Sequence, residues 1–151
     1  GGTSYVNASE IEAIVRVVST MRRQNPSDSC TIAVLTFYKG QLQLLQRRLP
    51  NRLKVEVLTV DSCQGAEFDR VVLSTVRSSA QKGAIGFVKN KQRINVALSR
   101  ARFQVVVVGN ESTMGGNKDW ASLRNACVTK SVSQWDLPPT QSGGGGTVFD
   151  A

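Results

Sequence analysis

The stretch RINVALSRARFQVVVVG, residues 93–109, indicates the fold class of this chain. Residues 93–102 have apolar side chains at helical spacing together with three arginines. They run into a continuous apolar stretch that is typical of a strand buried on both faces. Earlier stretches at 31–37, 55–60 and 70–76 repeat this strand pattern and alternate with helical patterns, one beginning near Asn7 and one over 40–49. Short apolar strands alternating with helices predict an α/β fold, a parallel sheet with helices on both faces.

The composition is that of one globular domain with a basic excess. The chain has 151 residues, 40% of them hydrophobic, and a formal net charge of +8. A positive charge of this size favours a polyanionic partner, nucleic acid first, although many basic domains bind none. No stretch approaches the roughly 18 apolar residues of a membrane-spanning helix, so we expect no membrane partner.

The histidine and cysteine content excludes several kinds of site. There is no histidine, which excludes Ser-His and Cys-His nucleophile pairs and removes the commonest zinc ligand. Cys30, Cys63 and Cys127 are widely spaced and fit no metal-binding pattern. We therefore expect no metal site in this chain and a reducing compartment, the cytoplasm or the nucleus.

The end of the chain differs in composition from the rest. From about residue 130 Ser, Pro and Gly become frequent, and residues 142–146 read SGGGG. The sequence predicts one domain over residues 1–130, closing with a short helix over 117–129, and a flexible tail over 131–151.

Two loops that follow predicted strands, residues 36–41 and 61–69, are the places to look for a ligand. In parallel sheets, ligands bind at loops that leave the carboxyl ends of strands. The second loop, DSCQGAEFD, contains Ser62 and Gln64, whose side chains can bond phosphate or ribose oxygens, and Gly65, which permits close approach of the backbone. The alternative is a solvated polar turn in which Gly65 serves backbone geometry alone.

The arginines of residues 93–102 also allow two interpretations. Residues 93–102 are predicted to form a helix, in which Arg93 and Arg100 lie within about 20° of each other, beside the apolar face that packs on the sheet. Two aligned guanidinium groups suit a multiply charged anion such as phosphate. The alternative is that they bond to Glu67, Asp61 or helix-end carbonyls.

Three segments, read together, resemble a known family. LTFYKGQ (35–41), TVDSCQGAEFDRVVLSTVR (59–77) and GFVKNKQRINVALSRARFQVVVVGN (86–110) have the order and spacing of motifs IV, V and VI of superfamily 1 helicases. The similarity is to the branch of the up-frameshift RNA helicases and senataxin, and it covers roughly residues 3–110. It implies a RecA-like fold and the second RecA-like domain of a two-domain, ATP-driven translocase on RNA or DNA.

The resemblance implies roles in ATP binding for five residues. Arg100 matches the arginine finger that reaches the γ-phosphate, and Arg93 matches the leading arginine of the same motif, in the phosphate or motif V network. Gln64 and Gly65 match motif V positions that couple the nucleotide cleft to the nucleic acid. Glu67 matches the acid that binds the ribose hydroxyls.

The resemblance implies nucleic-acid contacts for two residues, Thr36 and Ser62. Both lie where the family contacts the backbone of the single strand. Phe37 stands where the branch commonly has Pro, and Ser99 where it commonly has Thr; neither departure removes a functional group that the mechanism needs.

The phosphate loop and the acidic metal-binding motif of such a motor do not occur in this sequence. The resemblance therefore implies that a first RecA-like domain of the same protein holds Mg²⁺ and the rest of ATP, and that this piece alone is inactive. The expected partners are that domain and single-stranded RNA or DNA. The rival is a non-catalytic, helicase-like nucleic-acid-binding or scaffold module, and an unrelated phosphate-binding α/β enzyme is a third, weaker alternative.

Overall fold

The computed structural model describes residues 8–75, 91–109, 128–131 and 147–150. Within these ranges the chain forms helices, strands and two short 3₁₀ turns, Asn51–Leu53 and Val60–Cys63. In chain order the helices and strands are α1 (Ala8–Gln24), β1 (Ile32–Thr36), α2 (Lys39–Arg48), β2 (Val55–Thr59), β3 (Phe68–Ser74), α3 (Lys91–Leu98), β4 (Ala101–Gly109), β5 (Val128–Ser131) and β6 (Thr147–Asp150).

The strands form one sheet in the order β2-β1-β3-β4-β6-β5. The first four are parallel, with Thr36 opposite both Thr59 and Ser74, so the carboxyl ends of β1, β2 and β3 lie at one edge. β6 joins β4 and β5 in antiparallel pairing. The parallel part with its helices is the α/β, RecA-like arrangement that the sequence predicts, and the prediction is confirmed.

Helices cover both faces of the parallel strands because side chains along each strand alternate in direction. Every residue of β1 is buried. Ile32 and Val34 belong to the core beneath α1 and α2. Ala33 and Leu35 belong to the core on the opposite face, beneath α3 and the Val60–Cys63 turn.

Arg22, in the last turn of α1, fixes the chain around the amino ends of β1 and β2. Its guanidinium donates to main-chain carbonyls at 2.9 to 3.2 Å, those of Asn25, Ser27, Cys30, Leu53 and Lys54. One side chain thus links the end of α1, the loop before β1 and the turn before β2.

Helix α3 ends earlier than the sequence predicts. Its last helical residue is Leu98, and the Ser99 hydroxyl bonds back to the Val96 carbonyl at 2.9 Å. Arg100 lies in the turn that follows, so the aligned helical stripe predicted for Arg93 and Arg100 is wrong. β4 then begins at Ala101, and its register with β3 shifts between Phe68 and Arg70.

The last two strands depart from the predicted end of the chain. The structure has β6 over Thr147–Asp150, inside the segment predicted as a flexible tail, with Val106–Gly109 of β4 as its partner. β5 includes Ser131 and also the last two residues of the helix predicted over 117–129; the rest of that helix lies outside the described residues. Residues 147–150 form a strand because their backbone pairs with β4, which is distant in the sequence. Their own composition does not indicate this pairing.

None of the helices in the described ranges has the length and apolar character needed to cross a bilayer.

Candidate functional site

The predicted site residues lie at two opposite edges of the parallel sheet. Thr36 ends β1 at the carboxyl edge, while Arg100 directly precedes β4 at the amino edge, where its carbonyl accepts the Phe68 N–H at 2.8 Å. Two segments connect the edges on the same face of the sheet. One is residues 60–67, between the end of β2 and the start of β3, and the other is α3 with its following turn.

Arg93 lies at the carboxyl edge, where it joins these two segments. Its Nε and Nη2 donate to the two carboxylate oxygens of Asp61 at 3.1 and 2.9 Å, a forked ion pair. The guanidinium carbon also lies 5.3 Å from the centre of the Phe37 ring, within the range of a cation–π interaction. The Arg93 side chain is 14% exposed and that of Asp61 is 69% exposed. Arg93 therefore bonds to Asp61, as the alternative interpretation of the arginines predicts.

Ser62 and Thr36 also lie at the carboxyl edge, but they differ in accessibility. Ser62 is exposed in the Val60–Cys63 turn, where its hydroxyl lies 2.7 Å from the Thr59 hydroxyl. Thr36 is completely buried, and its hydroxyl accepts the Tyr38 N–H at 3.4 Å. A buried hydroxyl cannot touch a bound strand directly, so Thr36 is better described as shaping the loop after β1.

Arg100 lies at the amino edge, and among the described residues it bonds to no acid. Its Nη1 donates to the Ala66 carbonyl at 3.1 Å and its Nη2 to the Ser99 hydroxyl at 3.0 Å. A guanidinium has five N–H donors, so these bonds leave donors uncommitted, and Nε has no partner among the described residues. A phosphate oxygen is a group that such donors fit. The bond to Asp61 or Glu67 foreseen as the alternative is absent from the contacts of Arg100.

The loop beside Arg100 has an open backbone. Gly65 has φ of 84°, which favours glycine, and nothing lies within 4 Å of where its Cβ would be. Gln64 and Glu67 are exposed on either side. The Glu67 carboxylate has Arg102 Nε at 3.9 Å, while Arg102 makes its closer bond, of 3.1 Å, to Asp69. Glu67 therefore stays available to hydroxyl donors.

Cys63, buried between the two edges, adds no reactive group. Burial raises the pKa of the Cys63 thiol, an effect that the positive charge of Arg100 only partly opposes. The thiol is therefore neutral at neutral pH, and it donates to the Val60 carbonyl at 3.0 Å. Its role is to pack the turn against the sheet.

Of the predicted residues, the structure thus brings Arg100 into contact with the loop that carries Gln64, Gly65 and Glu67, and it places Arg93, Thr36 and Ser62 at the other edge. Sequence reasoning missed a polar cluster near the carboxyl edge, formed by the buried residues Glu10, Gln41 and Ser74. These residues lie far apart in the sequence, and only the position of Glu and Gln early in two helices hinted at them.

Most of this chain is similar to known proteins. A family model described as an AAA domain matches residues 1–112. The chain belongs to this AAA domain family. It is 37% identical over 137 residues to the ATP-dependent helicase upf1 of Schizosaccharomyces pombe, a match that covers 85% of this chain and 15% of that protein.

Two further relatives agree with this assignment. The probable helicase senataxin of Mus musculus is 32% identical over 125 residues, 80% of this chain and 5% of that protein. The regulator of nonsense transcripts 1 of Dictyostelium discoideum is 33% identical over 139 residues, 87% of this chain and 10% of that protein. The resemblance to the up-frameshift and senataxin branch of superfamily 1 helicases is confirmed, and the chain spans a small part of the length of these relatives.

Metal binding has no support in the part of the chain that the structure describes. No group of three or more Cys, Asp and Glu side chains there could hold a metal ion.

Proposed function

We propose that this chain is the second RecA-like domain of an ATP-dependent RNA or DNA helicase. The observation that carries the proposal is Arg100, a half-buried guanidinium with uncommitted donors, bonded to the loop that presents Gln64, Gly65 and Glu67. A group of this kind suits the charge that develops on a transferred phosphoryl group.

The proposed nucleotide site lies at the amino edge of the sheet. Arg100 would reach the γ-phosphate, and the backbone at Gly65 would approach the nucleotide closely. Gln64 would couple nucleotide binding to the rest of the loop. Glu67, whose carboxylate is exposed, would accept hydrogen bonds from the ribose hydroxyls. Arg93 would influence the nucleotide site without binding the nucleotide directly, since it already makes a forked bond to Asp61.

The proposed nucleic-acid track lies at the carboxyl edge. Ser62 would contact the backbone of a single strand, and Thr36 would hold the neighbouring loop in shape. Residues 60–67 and α3 run side by side between the track and the nucleotide site, and an arginine fastens them together at each end: Arg93 to Asp61, and Arg100 to Ala66. Movement of Arg100 on ATP binding would thus be passed to the surface that grips the strand.

The remaining machinery belongs, in this proposal, to the first RecA-like domain of the same protein. That domain would hold Mg²⁺ and the phosphates, and Mg²⁺ would supply charge neutralisation at the phosphoryl oxygens. The protein would work in the cytoplasm or the nucleus. This chain alone would then show no ATP turnover.

The test is Arg100→Ala in the complete enzyme. We expect ATP turnover to fall roughly 10³-fold, about 4 kcal/mol of transition-state stabilisation, with single-strand binding in the absence of nucleotide little changed. Arg100→Lys should rescue poorly because an ammonium lacks the planar fork. Since Arg100 bonds a carbonyl and a hydroxyl, its removal leaves no acid unpaired, and the melting temperature should change little.

Turnover and melting temperature are measured on the same preparation, with the exposed Arg47→Ala as the control that removes an arginine elsewhere. A folded Arg100→Ala enzyme with near-normal turnover would end the arginine-finger assignment. The rival, a non-catalytic helicase-like binding or scaffold module, would instead be favoured by a complete wild-type protein that shows no ATP turnover.

A further inference from the structure

Three buried polar side chains form a hydrogen-bonded chain between α1, β3 and α2. Gln41 Nε2 donates to Ser74 Oγ at 3.2 Å, and Ser74 Oγ donates to Glu10 Oε1 at 2.5 Å. Glu10 is 3% exposed, and Gln41 and Ser74 are 0% exposed. The Gln41 amide nitrogen can only donate, so Ser74 Oγ accepts from it and uses its own hydroxyl hydrogen toward Glu10.

The surroundings make this cluster costly as a source of stability alone. The cluster adjoins the apolar core of this face, in which Ile11, Ile14 and Leu45 pack beneath the two helices. Burying polar side chains carries a desolvation cost, and apolar side chains of similar volume are often as stable or more so. What polar groups add is direction: apolar contacts tolerate sliding, whereas hydrogen bonds hold their partners at one distance and angle.

The element held in this way is the first turn of α2. Gln41 lies in that turn, two residues after Lys39, where the helix begins. The N-cap residue Tyr38 makes no side-chain capping bond, so the turn is not fixed by the usual cap. Through Ser74, Gln41 instead ties it to the carboxyl end of β3 and to the first turns of α1.

We propose that Glu10, acting through Ser74 and Gln41, is a positioning residue that fixes the loop after β1 and the start of α2 in the shape that binds a single strand. The ligand in this inference rests on the function proposed above. The positioning itself does not, since it concerns the backbone of residues 37–42 whether or not a strand is bound.

Exchanging the end groups of the chain tests this with a double-mutant cycle. Gln41→Glu places a second carboxylate against one hydroxyl and removes the donor to Ser74 Oγ. Glu10→Gln weakens the acceptor. The double variant restores one donor and one carboxylate with the direction reversed, and its formal net charge stays at +8.

Two readouts are taken at a temperature where circular dichroism finds every variant folded. We expect Gln41→Glu to speed amide hydrogen exchange about tenfold or more at Leu42, whose N–H closes the first turn of α2 by donating to the Tyr38 carbonyl at 3.1 Å. We expect it also to weaken the binding of fluorescein-labelled oligouridine several-fold, by anisotropy. The double variant should recover most of both. Gln46→Glu, an exposed position on the same helix, adds the same charge and should leave exchange in the first turn unchanged.

Exchange unchanged in Gln41→Glu, or not recovered in the double variant, would overturn the inference. Faster exchange with unchanged oligouridine affinity would overturn its functional half. Faster exchange in Gln41→Glu, together with a wild-type chain that binds no oligouridine, would support the positioning role and count against the proposed function instead. If Gln41→Glu does not fold, Ser74→Ala, which deletes the shared hydroxyl, takes its place in both readouts.

Discussion

Asp69 shows how a single side chain fastens two strands at the amino edge of the sheet. Its Oδ2 accepts the Thr31 N–H at 2.9 Å, its Oδ1 accepts from Arg102 at 3.1 Å, and its own N–H donates to the Thr31 hydroxyl at 2.8 Å. The Thr31 amide first, and Arg102 second, hold the pKa of Asp69 below its ordinary value. These bonds join the start of β3 to the residue before β1.

Asp69 should therefore make stability depend on pH. A carboxyl whose pKa is lower in the folded state contributes stability that is present above its unfolded-state pKa, near pH 4, and is lost as the pH falls through the folded-state value. We expect Asp69→Asn to lower the melting temperature by a few degrees at pH 7 and to narrow the gap to wild type below about pH 4. Parallel curves for the two proteins between pH 7 and pH 3 would contradict this, and the exposed Glu56→Gln serves as the control.

At the residue scale, the sequence predicted which residues belong to the candidate site better than it predicted where in the fold they lie. Periodicity and resemblance both selected Arg93 and Arg100, and both belong to the candidate site. Their separation to opposite edges could not be foreseen, because Ala101 fits the apolar face whether or not the helix continues. One local bond and one distant bond end the helix. The Ser99 hydroxyl donates to the Val96 carbonyl, and the Phe68 N–H, from β3, donates to the Arg100 carbonyl.

At the scale of elements, strand β6 protects the side of β4 that faces away from β3. Its residues Thr147–Asp150 pair with Val106–Gly109, and the side chains of Val106, Val107 and Val108 are completely buried. The four parallel strands were predictable because each contains a short stretch rich in β-branched and other apolar residues. β6 was not, since it is four residues long and follows a glycine run, and its partner lies about forty residues earlier in the sequence.

Removing β6 should destabilise the sheet. We expect a chain truncated after Gly146 to melt several degrees lower than the full chain and to scatter more light on warming, because the truncation leaves the backbone of an apolar strand unpaired. Deleting Ala151 alone is the control. The domain boundary at residue 130 stays a prediction, and an unchanged melting temperature in a chain truncated after Lys130 would support a dispensable tail over 131–151.

At the scale of the whole molecule, two properties bear on what this chain does alone. They are its net charge and the small part of its relatives' length that it spans. The net charge of +8 favours nucleic acid, but in the proposed function one domain offers only half of the track. Composition predicts a polyanionic partner. The edge at which the proposed single strand would bind depends on the order of the strands, and no single segment of the sequence contains that order.

The isolated chain should bind single-stranded RNA or DNA weakly. We expect a dissociation constant no tighter than about micromolar, and an affinity that falls as salt is added, because binding to phosphates releases counterions. Anisotropy titrations of a labelled oligonucleotide over a range of salt concentrations measure both. Affinity that does not depend on salt would mean that the basic charge does not hold the strand.

The contacts of Arg22 bear on how this sequence can change over evolutionary time. Its partners are main-chain carbonyls, which every amino acid supplies, so the side chains at Asn25, Ser27, Cys30, Leu53 and Lys54 are free to vary without loss of these bonds. The arginine has no such freedom, since lysine offers no planar set of donors to reach carbonyls on several sides. Around this anchor, natural variation should therefore collect in the loops while position 22 stays an arginine.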